Sequence, residues 1–123
     1  MSDFECIQLD DVDKVSVIKF IDEKVMDPSR IEQLGVELMS LAEAEDRNKL
    51  LINFDNVKFF SSAAINKLIV LEKRMRAQGG KLRLSNLRPE VRDLFSFTNL
   101  DSLFDIRGGQ EDAIEAFGNE SEE

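Results

Sequence analysis

The residues with the clearest capacity for chemistry are two adjacent hydroxyls, Ser61 and Ser62, at the point where a helical pattern begins. A serine at a helix start accepts a hydrogen bond from one of the unpaired first-turn amides, which is the common structural reason for its presence. The same position tolerates a phosphate, because free amides and the positive end of the helix dipole face it. The residues themselves leave capping and modification open, and one serine can serve both.

The rest of the composition excludes most catalytic chemistry. The 123 residues contain no histidine, so a Ser-His-Asp triad and a Cys–His pair cannot form. The sequence also lacks glycine-rich phosphate-binding motifs and any regular loop of oxygen ligands for calcium or magnesium. We therefore expect no enzymatic activity, no cofactor and no metal site. Cys6 stands alone, which rules out an internal disulfide, and we expect it to act as a small apolar residue.

The elements around the serines predict a strand–helix–strand unit. Residues 50–54 (LLINF) form an almost continuous apolar run, which is typical of a strand buried on both faces. From Ala64 the apolar residues recur at helical spacing, and residues 79–80 (GG) end that helix. Residues 81–84 (KLRL) then alternate as a second strand, for which a right-handed parallel crossover is the default connection. The buried stripe of the helix is Ala64, Leu68, Leu71 and Met75.

Two strands and a helix are predicted before this unit. Residues 4–9 and 14–20 are β-like runs separated by a short polar connection, which favours an antiparallel hairpin. Asp27 can accept hydrogen bonds from first-turn amides, and Pro28 suits the first position of a helix. The buried stripe of that helix is Ile31, Leu34, Leu38 and Leu41.

Two more helices and a strand are predicted after the unit. Pro89 marks a helix start, residues 103–106 a brief strand, and residues 111–117 a last acidic helix. The order β-β-α-β-α-β-α-β-α predicts an α/β fold, a small mixed sheet of four or five strands flanked by helices. We assign residues 1–117 to a single domain and residues 118–123 to an acidic frayed tail.

This order of motifs carries a family resemblance. Residues 57–65 (VKFFSSAAI) resemble the phosphorylation loop of STAS domains, specifically those of bacterial anti-sigma factor antagonists, where an Asp-Ser-Ser/Thr-Gly-like motif precedes a helix ending in Gly-Gly. Residues 79–84 (GGKLRL) match the family's helix end and following strand, and residues 87–95 (LRPEVRDLF) match its next loop and helix. The similarity extends from Phe4 to Ala116 and implies the STAS-type sheet flanked by helices.

The resemblance implies a role for the serine pair. Aligned on Phe59, Ser62 falls on the phosphorylated serine of the family, and Ser61 is the less favoured site. Ser61 stands where the family usually has aspartate, and Ala64 stands where it has glycine. The resemblance thus implies an anti-sigma factor antagonist that, when unphosphorylated, sequesters an anti-sigma factor with serine kinase activity. A phosphatase acting on phospho-Ser62 would restore binding.

The residues predicted to bind this partner surround the serines. Asp55 matches the acidic residue that often closes the preceding strand in the family, and bracing of the loop by hydrogen bonds is the simpler role for it here. Ile69 and Val70 point away from the core stripe of the helix, which favours either a docking face or cover by a neighbouring helix. The predicted partner-binding set is Asp55, Phe60, Ser61, Ala64, Ile65, Ile69 and Val70.

The charge is −9 overall but unevenly distributed. Residues 73–92 hold seven basic side chains against Glu90 alone. Solvated faces with neighbouring carboxylates are the favoured interpretation and an acidic protein partner the next, while the overall acidity opposes nucleic acid. No apolar run approaches the ~20 residues that cross a bilayer, and residues 1–5 are acidic where a signal peptide is basic. We expect a cytoplasmic protein that binds neither nucleic acid nor membrane.

Two other functions remain open from the sequence. One is a structural STAS subunit of a larger signalling assembly, in which Ser62 is not modified. The other is a sensor of a small molecule, such as a nucleotide or lipid, bound beside the serine loop. A STAS domain of an anion transporter is disfavoured because the sequence contains no apolar run that spans a membrane.

Overall fold

The computed structural model describes residues 4–44 and 46–121. Within these residues, seven strands and four α-helices follow one another, with a short 3-10 turn at Leu100–Ser102. In chain order the elements are β1 (Ile7–Val12), β2 (Val15–Phe20), β3 (Lys24–Val25), α1 (Pro28–Glu43), β4 (Lys49–Asn53), β5 (Phe59–Phe60), α2 (Ser62–Ala77), β6 (Lys81–Ser85), α3 (Pro89–Phe97), β7 (Asp105–Arg107) and α4 (Gln110–Ser121).

Five of the strands form one mixed sheet in the order β1-β2-β4-β6-β7. The β1–β2 pair is antiparallel, and the β2–β4, β4–β6 and β6–β7 pairs are parallel. The predicted mixed α/β sheet, the hairpin and the parallel crossover from β4 to β6 are therefore confirmed. The sheet has the larger of the two predicted strand counts.

The remaining two strands were not predicted. β3 and β5 are two residues long and pair in parallel outside the main sheet. Residues 55–60 are predicted as a connection, because a strand of two residues is too short to show an alternating pattern. This small pair matters for the site, since β5 leads directly into the serines.

Several predicted boundaries shift. β1 begins at Ile7 and continues to Val12, so residues 10–12 of the predicted connection belong to the strand. The hairpin turns instead at Asp13 and Lys14, which both adopt positive φ as a tight two-residue hairpin turn requires. β7 starts at Asp105, two residues later than predicted, because the backbone before it is used by the 3-10 turn.

The last helix is longer than predicted. α4 continues from Phe117 to Ser121, so residues 118–121 of the predicted tail extend the helix backbone. Residues 122–123 of that tail lie outside the described residues, as do residues 1–3 of the predicted domain. The division of the chain at residue 117 stays a prediction.

The main core lies between the sheet and helices α1 and α2. Both predicted helical stripes are fully buried there, together with Leu50, Ile52 and Phe54 of the apolar run. At the start of α1, however, Asp27 does not cap the helix with its side chain. Its Oδ2 accepts a hydrogen bond from the Ser29 hydroxyl at 2.9 Å, so Pro28 alone fulfils the predicted start signal.

On the opposite face of the sheet, two charged side chains, those of Arg83 and Asp105, are in register on neighbouring strands. Leu51 of β4 pairs with Arg83 of β6, which pairs with Asp105 of β7. Arg83 is buried, although its basic stretch favoured a solvated face, and Phe117 of α4 covers its guanidinium at 4.2 Å from the ring centroid. A small second core packs α4 onto Val15, Val17 and Leu51.

Asp105 compensates the charge of this buried arginine. Its Oδ2 accepts from Arg83 Nε at 2.8 Å, and its Oδ1 accepts from Arg107 Nε at 2.6 Å. Burial raises the pKa of Asp105, but the hydrogen bond from Arg107 and the charges of both arginines outweigh burial and hold the pKa below its usual value. The carboxylate therefore stabilises the fold in its ionised form.

We expect Asp105→Asn to lower the free energy of unfolding more at pH 7 than near pH 2.5. A depressed pKa contributes stability above the unfolded value of about 3.9, and that contribution is lost as the pH falls through the folded pKa. Urea unfolding at both pH values measures the difference. Asp93→Asn, at an exposed carboxylate of α3, is the matched control. A loss of equal size at both pH values would contradict the ionised-pair account.

Phe54→Ala should destabilise the domain strongly, because Phe54 is fully buried and its ring contacts three other phenylalanine rings. Large-to-small substitutions of this kind cost about 3–5 kcal/mol. Phe97→Ala is the control, since Phe97 is 94% exposed and its loss should change stability by less than about 0.5 kcal/mol. Chemical denaturation of the two variants side by side checks this, and similar midpoints would overturn the assigned core.

Candidate functional site

The serine loop, residues 55–62, is fixed by backbone hydrogen bonds to the segment before α1. The amides of Lys58 and Phe59 donate to the Glu23 carbonyl at 2.9 and 3.2 Å, and the Ser61 amide donates to the Val25 carbonyl at 3.1 Å. These bonds extend the β3–β5 pair to the first serine. The backbone that leads into the serines is therefore fixed by the hydrogen bonds of a small two-stranded sheet.

Side chains of β5 alternate between the core and the surface. Phe60 points inward, where its ring lies 5.5 Å from Phe20, 5.2 Å from Phe54 and 6.5 Å from Phe95 between centroids. Phe59 points outward, is 50% exposed, and has the Lys24 ammonium 5.6 Å from its ring centroid. One aromatic residue anchors the loop while its neighbour remains available on the surface.

The two serines have different local roles. Ser61 is the N-cap of α2, in extended conformation, and its Oγ accepts a hydrogen bond from the Ala64 amide at 3.2 Å. Ser62 is the first residue of the helix and is exposed. Capping and accessibility are thus divided between adjacent hydroxyls, and the exposed one is that of Ser62.

The helix start beside Ser62 favours negative charge. The first turn of α2 contains no acidic residue, and the last turn contains the basic residues Arg74 and Arg76. Amides of the first turn and the helix dipole therefore present a positive end next to an exposed hydroxyl. A phosphate on Ser62 fits this position without disturbing the helix.

Asp55 contributes to the loop through its backbone. The Asp55 amide donates to Asn53 Oδ1 at 2.8 Å, and the Asp55 carbonyl accepts from Arg88 Nη2 at 3.2 Å. The exposed carboxylate is left facing solvent. Sequence reasoning missed Asn56, whose Nδ2 donates to the carbonyls of Phe20 and Ile21 at 3.1 and 3.2 Å and ties the loop to the end of β2.

The predicted partner-binding set divides between surface and interior. Asp55 and Val70 are exposed, while Ser61 and Ile69 are partly buried. The remaining members, Phe60, Ala64 and Ile65, are buried. Their side chains are not accessible to a partner in this structure and instead pack beneath the surface. Ile69 packs against the main core, which is the cover that the sequence left as an alternative.

Two exposed apolar residues at the loop were missed by sequence reasoning. Met26 follows β3 in the register position next to Ser61, and Phe59 lies two residues before Ser61 on β5. Both are about half exposed. Together with Ser62 they form what we call the serine-loop surface: Met26, Phe59 and Ser62. The adjacent pair Phe59–Phe60 was the available signal, because alternation in a strand turns one of two neighbours outward.

The basic stretch 73–92 does not gather into one groove. Arg74 Nη2 lies 3.8 Å from Glu43 Oε2, and Arg76 Nη2 lies 2.6 Å from Glu72 Oε2. Arg83 is buried on the α4 side of the sheet, and Arg88 contacts the serine loop. Arg74 and Arg76 therefore pair with neighbouring carboxylates, as the favoured interpretation of the basic stretch predicts.

Residues 4–44 and 46–121 contain no cluster of cysteine, aspartate or glutamate side chains suited to hold a metal ion. Among the same residues, no helix is long and apolar enough to cross a membrane. Burial raises the pKa of the Cys6 thiol, and Glu37 raises it further. The thiol is neutral at pH 7, in keeping with a small apolar residue.

The sequence matches the model of the STAS domain family over residues 7–113, and the chain belongs to that family. A curated relative named as an anti-sigma factor antagonist, BtrV of Bordetella bronchiseptica, is 28% identical over 93 residues, which cover 76% of this chain and 79% of BtrV. The fold, the helix start and the family assignment agree with the resemblance found in the serine loop.

Solved structures share the fold. A STAS domain protein from Planctomyces limnophilus superposes with a TM-score of 0.80 at 24% identity, covering 91% of this chain and 97% of that one. SpoIIAA in its unphosphorylated form gives a TM-score of 0.76 at 22% identity, with 92% and 96% covered. The phosphorylated form of Bacillus SpoIIAA gives 0.69 at 22% identity, with 90% and 98% covered.

Ser61→Ala should destabilise the domain by about 1 kcal/mol, because it removes the side-chain cap of α2. Ser62→Ala should change stability by less than about 0.5 kcal/mol, since Ser62 is exposed within the first turn. Urea midpoints of the two variants distinguish the serines. Equal losses, or a larger loss from Ser62→Ala, would contradict the assigned cap.

Proposed function

We propose that this domain is an anti-sigma factor antagonist of the cytoplasm, switched by phosphorylation of Ser62. Unphosphorylated, it binds and sequesters an anti-sigma factor that has serine kinase activity. That partner phosphorylates Ser62 and thereby ends the interaction, and a phosphatase restores it. The domain itself catalyses no reaction.

One observation carries the proposal: an exposed serine at the first position of α2, directly after a serine that supplies the cap. A hydroxyl whose only use was to cap the helix would be redundant at Ser62. The exposed position allows a kinase to reach the hydroxyl, and the rigid anchoring of residues 58–61 presents it in one geometry.

The relatives support the same proposal. BtrV carries the name of an anti-sigma factor antagonist, and SpoIIAA, an antagonist of the same fold, has been solved with and without its phosphate. The persistence of one fold in both forms of SpoIIAA fits a modification that acts on binding and leaves the domain folded.

The energetics fit a switch at an interface. A phosphate adds about −2 charges, which the positive helix end accommodates in the free domain. In a complex, an ionised group buried without a matched cation costs several kcal/mol. Since each 1.4 kcal/mol changes affinity tenfold, one phosphate suffices to dissociate a micromolar complex.

The serine-loop surface supplies the apolar part of the docking site. Met26 and Phe59 are exposed beside Ser61, and an aromatic residue at the centre of an interface contributes more than its share of affinity. Lys24 and Lys58 lie at its edge, so an acidic residue of the partner is the matching charge.

Ser62→Ala should bind the cognate anti-sigma factor as the wild type does and should resist phosphorylation. Ser62→Glu should stay folded, because a carboxylate at the helix start is favourable by ~0.3–1 kcal/mol, yet bind at least about tenfold more weakly. Titration calorimetry and phosphopeptide mapping after kinase treatment measure both effects.

Ser61→Ala is the matched control for the switch, since it alters the neighbouring hydroxyl without adding charge. It should bind with little change once its lower stability is taken into account. A phosphate that maps to Ser61 would move the switch by one residue. Wild-type affinity in Ser62→Glu would refute the switch.

A further inference from the structure

The outer surface of the α1–α2 layer contains two exposed valines. Val36 of α1 is 64% exposed and Val70 of α2 is 45% exposed. β-Branched apolar residues contribute little to an exposed helix, since they are weaker helix formers than alanine or leucine. Because both valines lie on the same layer, one contact over this layer would cover both of them.

Contacts between the helices place the two valines at the same level. Glu32 Oε2 lies 2.9 Å from Lys67 Nζ, Glu43 Oε2 lies 3.8 Å from Arg74 Nη2, and Gln78 Nε2 donates to the Ala42 carbonyl at 2.8 Å. The sequence separation between Val36 and Val70 falls within the range spanned by these three pairs. The valines therefore lie side by side, with an acid–base pair beyond them at each end.

The two helices carry opposite charges on this surface. The exposed charged residues of α1 are Glu32 and Glu43, and Arg30 is tied to Asp22 at 2.9 Å. On α2 the exposed basic residues of this surface are Lys73 and Arg74, whereas Arg76 donates to Glu72 and lies away from α1. Glu72, the one acidic residue of α2, is buried. The layer thus presents an acidic half and a basic half with an apolar centre.

We propose that this surface binds a second copy of the chain in a symmetric dimer. A two-fold axis parallel to the helices lays α1 of one copy on α2 of the other. Val36 then meets Val70 twice, and acidic residues face basic ones on both sides. An axis across the helices would instead place acid on acid and base on base, so charge selects the first arrangement. The proposal is independent of the proposed switch.

The experiment is sedimentation equilibrium of the full chain from about 10 µM to about 1 mM, a range that covers weak self-association. The wild type should show a reversible dimer. Val36→Asp and Val70→Lys should each weaken self-association at least about tenfold, because either places a charge in the apolar centre. Both residues are exposed, so circular dichroism should show an unchanged fold.

Mixing the two variants gives the sharpest result. In a mixed pair, one contact joins Asp at position 36 to Lys at position 70 and the other keeps both valines. Val36→Asp and Val70→Lys, labelled differently, should therefore associate with each other more strongly than either does with itself. Phe97→Ser is the control, an exposed apolar residue of α3 outside this surface, and it should dimerise like the wild type.

Three outcomes would overturn the proposal. The wild type could remain monomeric across the range, the mixed variants could fail to recover association, or Phe97→Ser could abolish it. If Val36→Asp leaves self-association intact but weakens binding of the anti-sigma factor, the surface belongs to that partner, and the dimer is refuted. The Ser62→Glu result is unaffected in each case, so the two proposals fail separately.

Discussion

The serine loop depends on the burial of one ring, that of Phe60. β5 is only two residues long, and a strand of that length has little stability of its own. Its position is set because Phe60 inserts among Phe20, Phe54 and Phe95, while the neighbouring amides bond to the segment before α1. With Phe60 inside, alternation turns Phe59 outward, and the chain enters α2 with Ser61 at the cap and Ser62 on the surface. A packing event in the core thus determines which hydroxyl is presented.

The two faces of the sheet are buried by different kinds of contact. Toward α1 and α2 the sheet is apolar and packs as a conventional core. Toward α4 it buries Arg83, whose charge is compensated by Asp105 and whose guanidinium stacks on Phe117. An uncompensated buried charge would cost several kcal/mol, so these two contacts are what allows the thin α4 layer to cover a charged strand.

The sequence predicted the parts of this fold that rest on periodicity. The stripes of α1 and α2, the β4 run and the glycine stop after α2 all follow from spacing that is long enough to recognise. The sequence did not predict the features that are determined by contacts between residues distant in the chain. The pairing of β3 with β5, the interior position of Ile65 and the buried carboxylate of Glu37, which accepts from the amides of Glu5 and Cys6, depend on residues distant in the chain. The different roles of Ser61 and Ser62 also could not be predicted without the structure, since both residues are acceptable caps by type.

The absence of an acidic side chain from the first turn of α2 has a consequence for how binding and modification exclude each other. The amides at the start of that helix form a single anion-binding position, which the chain does not fill with a carboxylate of its own. In the proposed switch, a partner's acidic residue and a phosphate on Ser62 are alternative occupants of that position. Under that proposal phosphorylation acts as an internal competitor, because a phosphate on the chain itself has an effective concentration that no free ligand matches.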